Sequence, residues 1–186
     1  MAAVVNFSVS MTMAATFTIF PIYAVQQGLE NPGLFFLVIA AGAFPLKQLT
    51  GRAADRYGFP VVFLPSLAVV AASILLIPMT HSATGLLVLG AFLGLGQGAG
   101  LPSLTAYAAS SVSNDKRGAA VNTFTLGGDL AMSVGALSLG LIAVQLGVTE
   151  AFLVAGLSPV MAIVFFGAVK GLKRARVREE GVAARR

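Results

Sequence analysis

Apolar positions fall into six long runs, at about 4–27, 33–52, 60–79, 84–109, 118–145 and 150–171, separated by short polar breaks. Each run is close to or above the ~20 residues that carry a helix across the hydrocarbon core of a bilayer. Strands would need the apolar–polar alternation of a closed barrel, and the runs lack it. Six membrane helices are therefore predicted. Pro21, Pro45, Pro65, Pro102 and Pro159 lie inside the runs, which membrane helices tolerate because neighbouring groups take up the freed carbonyls. The breaks carry turn chemistry: Glu30-Asn31-Pro32-Gly33, Tyr57-Gly58-Phe59-Pro60, and Ser113-Asn114-Asp115 ahead of Lys116-Arg117-Gly118.

Polar groups are spread unevenly over these runs. The third has only Ser66 and Ser73 in its interior and the sixth only Ser158, as suits helices on a lipid-facing periphery. On the first, Asn6, Ser10, Met13, Thr16, Phe20, Tyr23 and Gln27 recur at steps of three and four, which puts them on one face. Gln97, Gly100, Ser103 and Tyr107 share a face of the fourth, and Asn122, Thr125, Asp129, Ser133, Ala136 and Gly140 one of the fifth. The order polar, polar, apolar occurs twice. Three helices followed by three of opposite orientation predict an all-α membrane protein arranged as an inverted 3+3 repeat, with a site near the midplane between the polar faces. Gly90, Gly94 and Gly98, four residues apart, form a small-residue stripe suited to close helix packing.

Charge orients the bundle. Arg52 and Arg56, then Lys116 and Arg117, fall in alternate connections on one side, as do Lys170, Lys173, Arg174, Arg176, Arg178, Arg185 and Arg186 at the end of the chain. The opposite connections hold Glu30, His81 and Glu150 and no Lys or Arg. By the positive-inside rule both termini are cytoplasmic, the expected location being an inner (plasma) membrane of bacterial type. Residues 1–172 are read as the six-helix domain and 173–186 as a basic cytoplasmic tail. No basic residue and no clear cleavage site mark the first run as a signal peptide. Met1 stands almost inside that run, as expected of a chain cut from something longer or of an unusual start.

Composition narrows the function classes. The chain of 186 residues is 57% apolar and 10% charged, against roughly 45–50% and about 25% for soluble domains. The net charge of +5, from 12 basic and 7 acidic residues, is an orientation signal, and no nucleic-acid partner is expected. With no cysteine and one histidine, no metal centre and no other cofactor is expected. Leu126-Gly127-Gly128-Asp129 approaches the Gly-x-Gly-Asp pattern of intramembrane aspartyl proteases, but no second membrane aspartate supplies the paired carboxylate. The chain is not expected to be an enzyme.

The most informative stretch is Gly51-Arg52-Ala53-Ala54-Asp55-Arg56-Tyr57-Gly58. Gly51 and Gly58 would permit tight turns, Asp55 would suit a helix N-terminus, and Arg52 and Arg56 could pair with it or with anionic lipid. Gly-x-x-x-Asp-Arg-x-Gly between two membrane helices resembles the loop signature of the major facilitator superfamily. Residues 31–36 resemble the start of the eighth helix of its bacterial efflux-type members, 84–109 the tenth, and 128–140 the eleventh. The resemblance implies the C-terminal six-helix half of a twelve-helix transporter whose cavity lies between halves, with the loop aspartate acting across that boundary. Gly94 stands where the N-terminal half usually has Arg, and Lys47-Gln48 departs from the Arg-Pro of efflux-type relatives.

A secondary transporter of a small organic molecule follows as the expectation, working by proton-coupled efflux and alternating access. The first and fourth helices would line the pathway, and the second and fifth would meet the other half. The candidate pathway residues are Asp129, Asn6, Thr16, Tyr23, Gln27, Gln97, Tyr107, Asn122 and Lys47. The candidate gating loop is Gly51, Arg52, Asp55, Arg56 and Gly58. Asp129 leads the set: counted from Gly118 at about 1.5 Å per residue it lies some 16 Å deep, where a carboxylate is costly and a candidate proton carrier. Expected partners are membrane lipid, the substrate, and a second six-helix half or a second copy. The rival expectations are a non-transporting membrane interaction or scaffold protein and a homodimeric six-helix transporter.

Overall fold

The computed structural model describes the backbone of residues 2–110 and 112–183, and the side chains of 5–47, 50, 52–54, 56–59, 61–110 and 112–168. Among these residues the chain is helical throughout, without a strand. The elements are α1 (Ala2–Thr18), α2 (Phe20–Gln26), α3 (Gly33–Tyr57), α4 (Phe59–Leu76), α5 (Ala83–Ser110), α6 (Arg117–Gln145) and α7 (Val148–Ala183). Short 3-10 turns cover Ile77–Met79 and Asn114–Lys116.

Every predicted run falls on these helices. Val61–Met79, Ala83–Ser110, Asn114–Gln145 and Val148–Ala168 are each long and apolar enough to span a membrane, and α1 with α2 makes a fifth span bent by 45°. The bend follows from Pro21, whose ring cannot be accommodated over the preceding helical turn. The part of α3 that is apolar, Gly33–Lys47, is shorter, although α3 as a whole has 25 residues. Pro45, Pro65, Pro102 and Pro159 all sit inside continuous helices. The protein is a multi-pass integral membrane protein.

One boundary differs from the sequence expectation. Gly51 is not at a turn: α3 continues through it to Tyr57, and Gly58 alone joins α3 to α4. The run of Arg52, Ala53, Ala54 and Arg56 consists of strong helix formers, which outweigh one glycine's cost of roughly 1 kcal/mol. Gly58 does make the turn, at φ +84°, donating its N–H to the Ala54 carbonyl at 3.0 Å.

Packing repeats a pattern across the two halves of the chain. The first span packs on α6 and α7, and correspondingly α5 packs on α3 and α4, with α4 against α7 closing the bundle. Exchanging the α1–α2 pair, α3 and α4 for α5, α6 and α7 maps these pairings onto one another, as an inverted 3+3 repeat requires. The α3–α5 seam is the tightest. Gly90 lies against the Phe35 ring, Gly94 against the Ile39 carbonyl and Gly98 against the Ala43 carbonyl. Both helices advance four residues per contact, so they run parallel with their backbones in touch.

The α1–α6 seam is built similarly, with Gly128 against Asn6 and Ser10 and Gly135 against Met11 and Ala14. One core cluster gathers Phe20, Tyr23, Phe35, Ile74, Leu86, Leu93, Leu139 and Phe152. A second, with Val5, Val9, Phe63, Leu67, Leu104 and Ala162, lies between α1, α4, α5 and α7.

Candidate functional site

A cavity of about 270 Å³ opens between α1, α3 and α5. Met13, Thr16 and Phe17 line it from α1, Phe36, Ile39, Ala40, Ala43 and Lys47 from α3, and Gln97, Gly98 and Leu101 from α5. The α3 residues recur at steps of one, three and four, the period of one helical face. The glycine seam determines which face that is, since Ile39 and Ala43 meet Gly94 and Gly98 there.

Aromatic rings build one end of the cavity. Phe17 stacks on Phe36 with centroids 5.3 Å apart and planes 9° apart. Phe36 in turn meets the edges of Phe20 at 6.4 Å and Phe35 at 6.0 Å. Phe20 and Phe35 are fully buried, so the lining pair rests on a fixed base. Phe17 and Lys47 are exposed, which leaves the cavity open at their side.

Its polar groups are few. Thr16 is buried and donates to the Thr12 carbonyl at 2.8 Å, leaving its oxygen to accept. The amide of Gln97 and the ammonium of Lys47 have no hydrogen-bond or ion-pair partner among the described residues. Lys47 is the one charged residue of the lining among the described residues.

Of the sequence-predicted pathway residues, the cavity thus brings together Thr16, Gln97 and Lys47. Asn6 is buried in the α1–α6 seam, where Nδ2 donates to the Phe124 carbonyl at 2.7 Å. Tyr23 is buried against Phe152, and its hydroxyl lies 3.1 Å from the Pro78 carbonyl and 3.2 Å from that of Thr80. The Gln27 Oε1 meets His81 Nδ1 at 3.3 Å across exposed turns. Tyr107 stacks on Phe59 at 4.7 Å, outside the cavity lining.

Asp129 and Asn122 are exposed on α6, a helix that contributes nothing to this lining. With Thr125 and Ser133 they form a polar stripe beside the exposed apolar row of Leu126, Leu130, Val134 and Leu137. In the candidate gating segment, Arg52 and Arg56 are exposed, with Arg56 5.5 Å from the Tyr57 ring. The side chain of Asp55 lies outside the described residues.

Sequence reasoning missed Phe17, Phe36, Ile39, Ala40 and Ala43. Phe17 on α1 and the other four on α3 carry no polar signal that separates a cavity face from one that meets lipid or a neighbouring helix.

The bundle is all-helical among the described residues, and the sequence family described as Major Facilitator Superfamily, a class of membrane transporters, matches residues 2–185. The chain belongs to that superfamily. Among curated relatives it is similar to the "Multidrug resistance protein MdtG" of Salmonella arizonae and of Salmonella typhi, 30% identical over 141 residues, or 72% of this chain and 35% of each relative. The protein of the same name from Citrobacter koseri is also 30% identical over 141 residues, covering 72% of this chain and 34% of the relative. The matched part spans about a third of the length of these curated relatives.

Proposed function

We propose that this chain is one six-helix half of a secondary transporter that exports a small organic molecule by alternating access, driven by protons. The observation that carries the reading is the cavity between α1, α3 and α5, which is walled on one side and open on the other. Such a half-site becomes a closed chamber when a second half covers it, and rocking the halves exposes it to each face in turn. The exposed faces of α3 (Leu34, Leu37, Phe44) and α6 (Leu126, Leu130, Leu137) offer the surface on which a second six-helix half, or a second copy, would sit.

Efflux is supported by the similarity to multidrug resistance proteins. Asp129, exposed on α6 and deep by residue count, is the proposed proton carrier. Arg52 and Arg56 beside the Gly58 turn, with Lys116 and Arg117 at the start of α6, support a reading in which both termini are on the cytoplasmic side of a bacterial-type inner membrane.

The test is flux in proteoliposomes under an imposed pH gradient, for the chain alone and with a supplied N-terminal half. Gradient-dependent export of a fluorescent drug in either preparation supports the reading. A folded, inserted chain that moves no compound in both preparations, while still capturing the half, makes it a scaffold. Flux by the chain alone identifies a self-paired transporter.

A further inference from the structure

We propose that the cavity between α1, α3 and α5 selects an amphipathic organic anion, its acid group beside Lys47 and its flat apolar body against Phe17 and Phe36. This deepens the transporter reading and rests on it. Among the described residues the lining holds one cation and no carboxylate. Its other polar groups, the Gln97 amide and the Thr16 oxygen, are neutral. Asp129 is on α6, whose residues do not reach the lining. A cationic ligand would therefore meet an unpaired ammonium and no counter-charge, whereas an anion gains a charge-assisted hydrogen bond from it.

Lysines near the end of a membrane helix commonly reach for the headgroups, and the geometry of α3 argues against that here. The helix continues from Lys47 through Arg52 and Arg56 to Tyr57, so at about 1.5 Å per residue Lys47 lies some 7 Å deeper than Arg52 and 13 Å deeper than Arg56. Side chains on a helix lean toward its N-terminus. Because α3 runs toward the basic end of the bundle, Lys47 leans away from that end, toward Ala43 and the cavity that both residues line.

The aromatic end supplies the other half of the specificity. One face of the Phe36 ring is covered by Phe17, and Phe20 and Phe35 support it from behind. A planar apolar group stacking on this pair would lie about three helical turns from the lysine, counted along α3 from Phe36 to Lys47. That separation suits an elongated molecule with the acid at one end.

The experiment uses the full chain in phosphatidylcholine nanodiscs and three matched elongated probes: 6-(2-naphthyl)hexanoate, 6-(2-naphthyl)hexan-1-ol and 6-(2-naphthyl)hexylammonium. The protein has no tryptophan, so probe fluorescence is read without indole background. The anion should bind about tenfold tighter than the cation or more, the scale of one charge-assisted bond. Lys47→Gln should weaken the anion by about tenfold while leaving the neutral probe within about twofold, and Lys47→Arg should keep the preference. Phe17→Ala should weaken all three probes alike. Equal or reversed preference, a ratio unmoved in Lys47→Gln, or no binding of any probe overturns the proposal. Flux separates this from the broader reading. Export without anion preference sinks the ligand class alone, and Lys47-dependent anion binding with no flux in any pairing sinks the transporter and leaves the ligand class standing.

Discussion

Asn6 on α1 reaches across the bundle to the Phe124 carbonyl on α6, with its Nδ2 2.7 Å from the oxygen. This bond joins α1 and α6 where Gly128, one turn further along α6, lets the two backbones close on Asn6 and Ser10. The Phe124 carbonyl lies inside continuous helix α6, so the Asn6 amide adds an interhelical bond to a group that already has its helical partner.

Asn6→Leu should therefore destabilise the bundle by about 1 kcal/mol, the usual scale of an interhelical bond in membranes. Unfolding in mixed micelles followed by circular dichroism checks it. An unchanged midpoint would show that the bond contributes nothing net.

Glycines should divide sharply by position. A Cβ at Gly94 would collide with the Ile39 backbone, whereas one at Gly127 would meet nothing within 4 Å. Gly94→Ala is expected to cost about 1–3 kcal/mol through forced helix separation, and Gly127→Ala to be neutral or stabilising by up to about 1 kcal/mol. Thermal denaturation of the two variants side by side gives the comparison.

Tyr23 holds the α4–α5 connection down through the Pro78 and Thr80 carbonyls. Tyr23→Phe keeps the packing on Phe152 and removes both contacts. Amide exchange of residues 79–82 should accelerate by about tenfold, the equivalent of 1.4 kcal/mol of lost protection. Exchange in α3 should not change.

Asp129 is exposed on α6, so removing its charge should leave the fold intact. Asp129→Asn is expected to cut gradient-driven flux by about tenfold or more while the melting midpoint holds within about 0.5 kcal/mol, as surface substitutions do. Counterflow without a gradient should be less affected. Wild-type flux in the variant would remove Asp129 from the coupling scheme.

Hydropathy marked where the helices run, because a span has to be apolar along its length whatever it packs against. It did not tell which polar residues serve the site. Asn6, Tyr23 and Thr16 share one predicted face of the first span, yet Asn6 and Tyr23 bond to other segments of the bundle and only Thr16 lines the cavity. The bend between α1 and α2 helps explain this, since it turns Tyr23 out of the line that Asn6 and Thr16 follow. Gly51 makes no turn because glycine signals one only where neighbouring residues permit it, and Arg52, Ala53 and Ala54 carry the helix onward. The apolar lining of α3 was illegible for a simpler reason: Phe36, Ile39 and Ala43 look the same in sequence whether they face lipid, a neighbouring helix or a substrate.

The turn at Gly58 has one further consequence. A connection of one residue has no slack, so α3 and α4 cannot slide or tilt independently without unwinding an end. The glycine seam ties α5 to α3 in turn. These three helices form a single stiff lever, and a wall of the cavity belongs to it. A displacement applied at the Arg52–Arg56 end would thus be delivered at Phe36 with little loss, as movement of one solid arm.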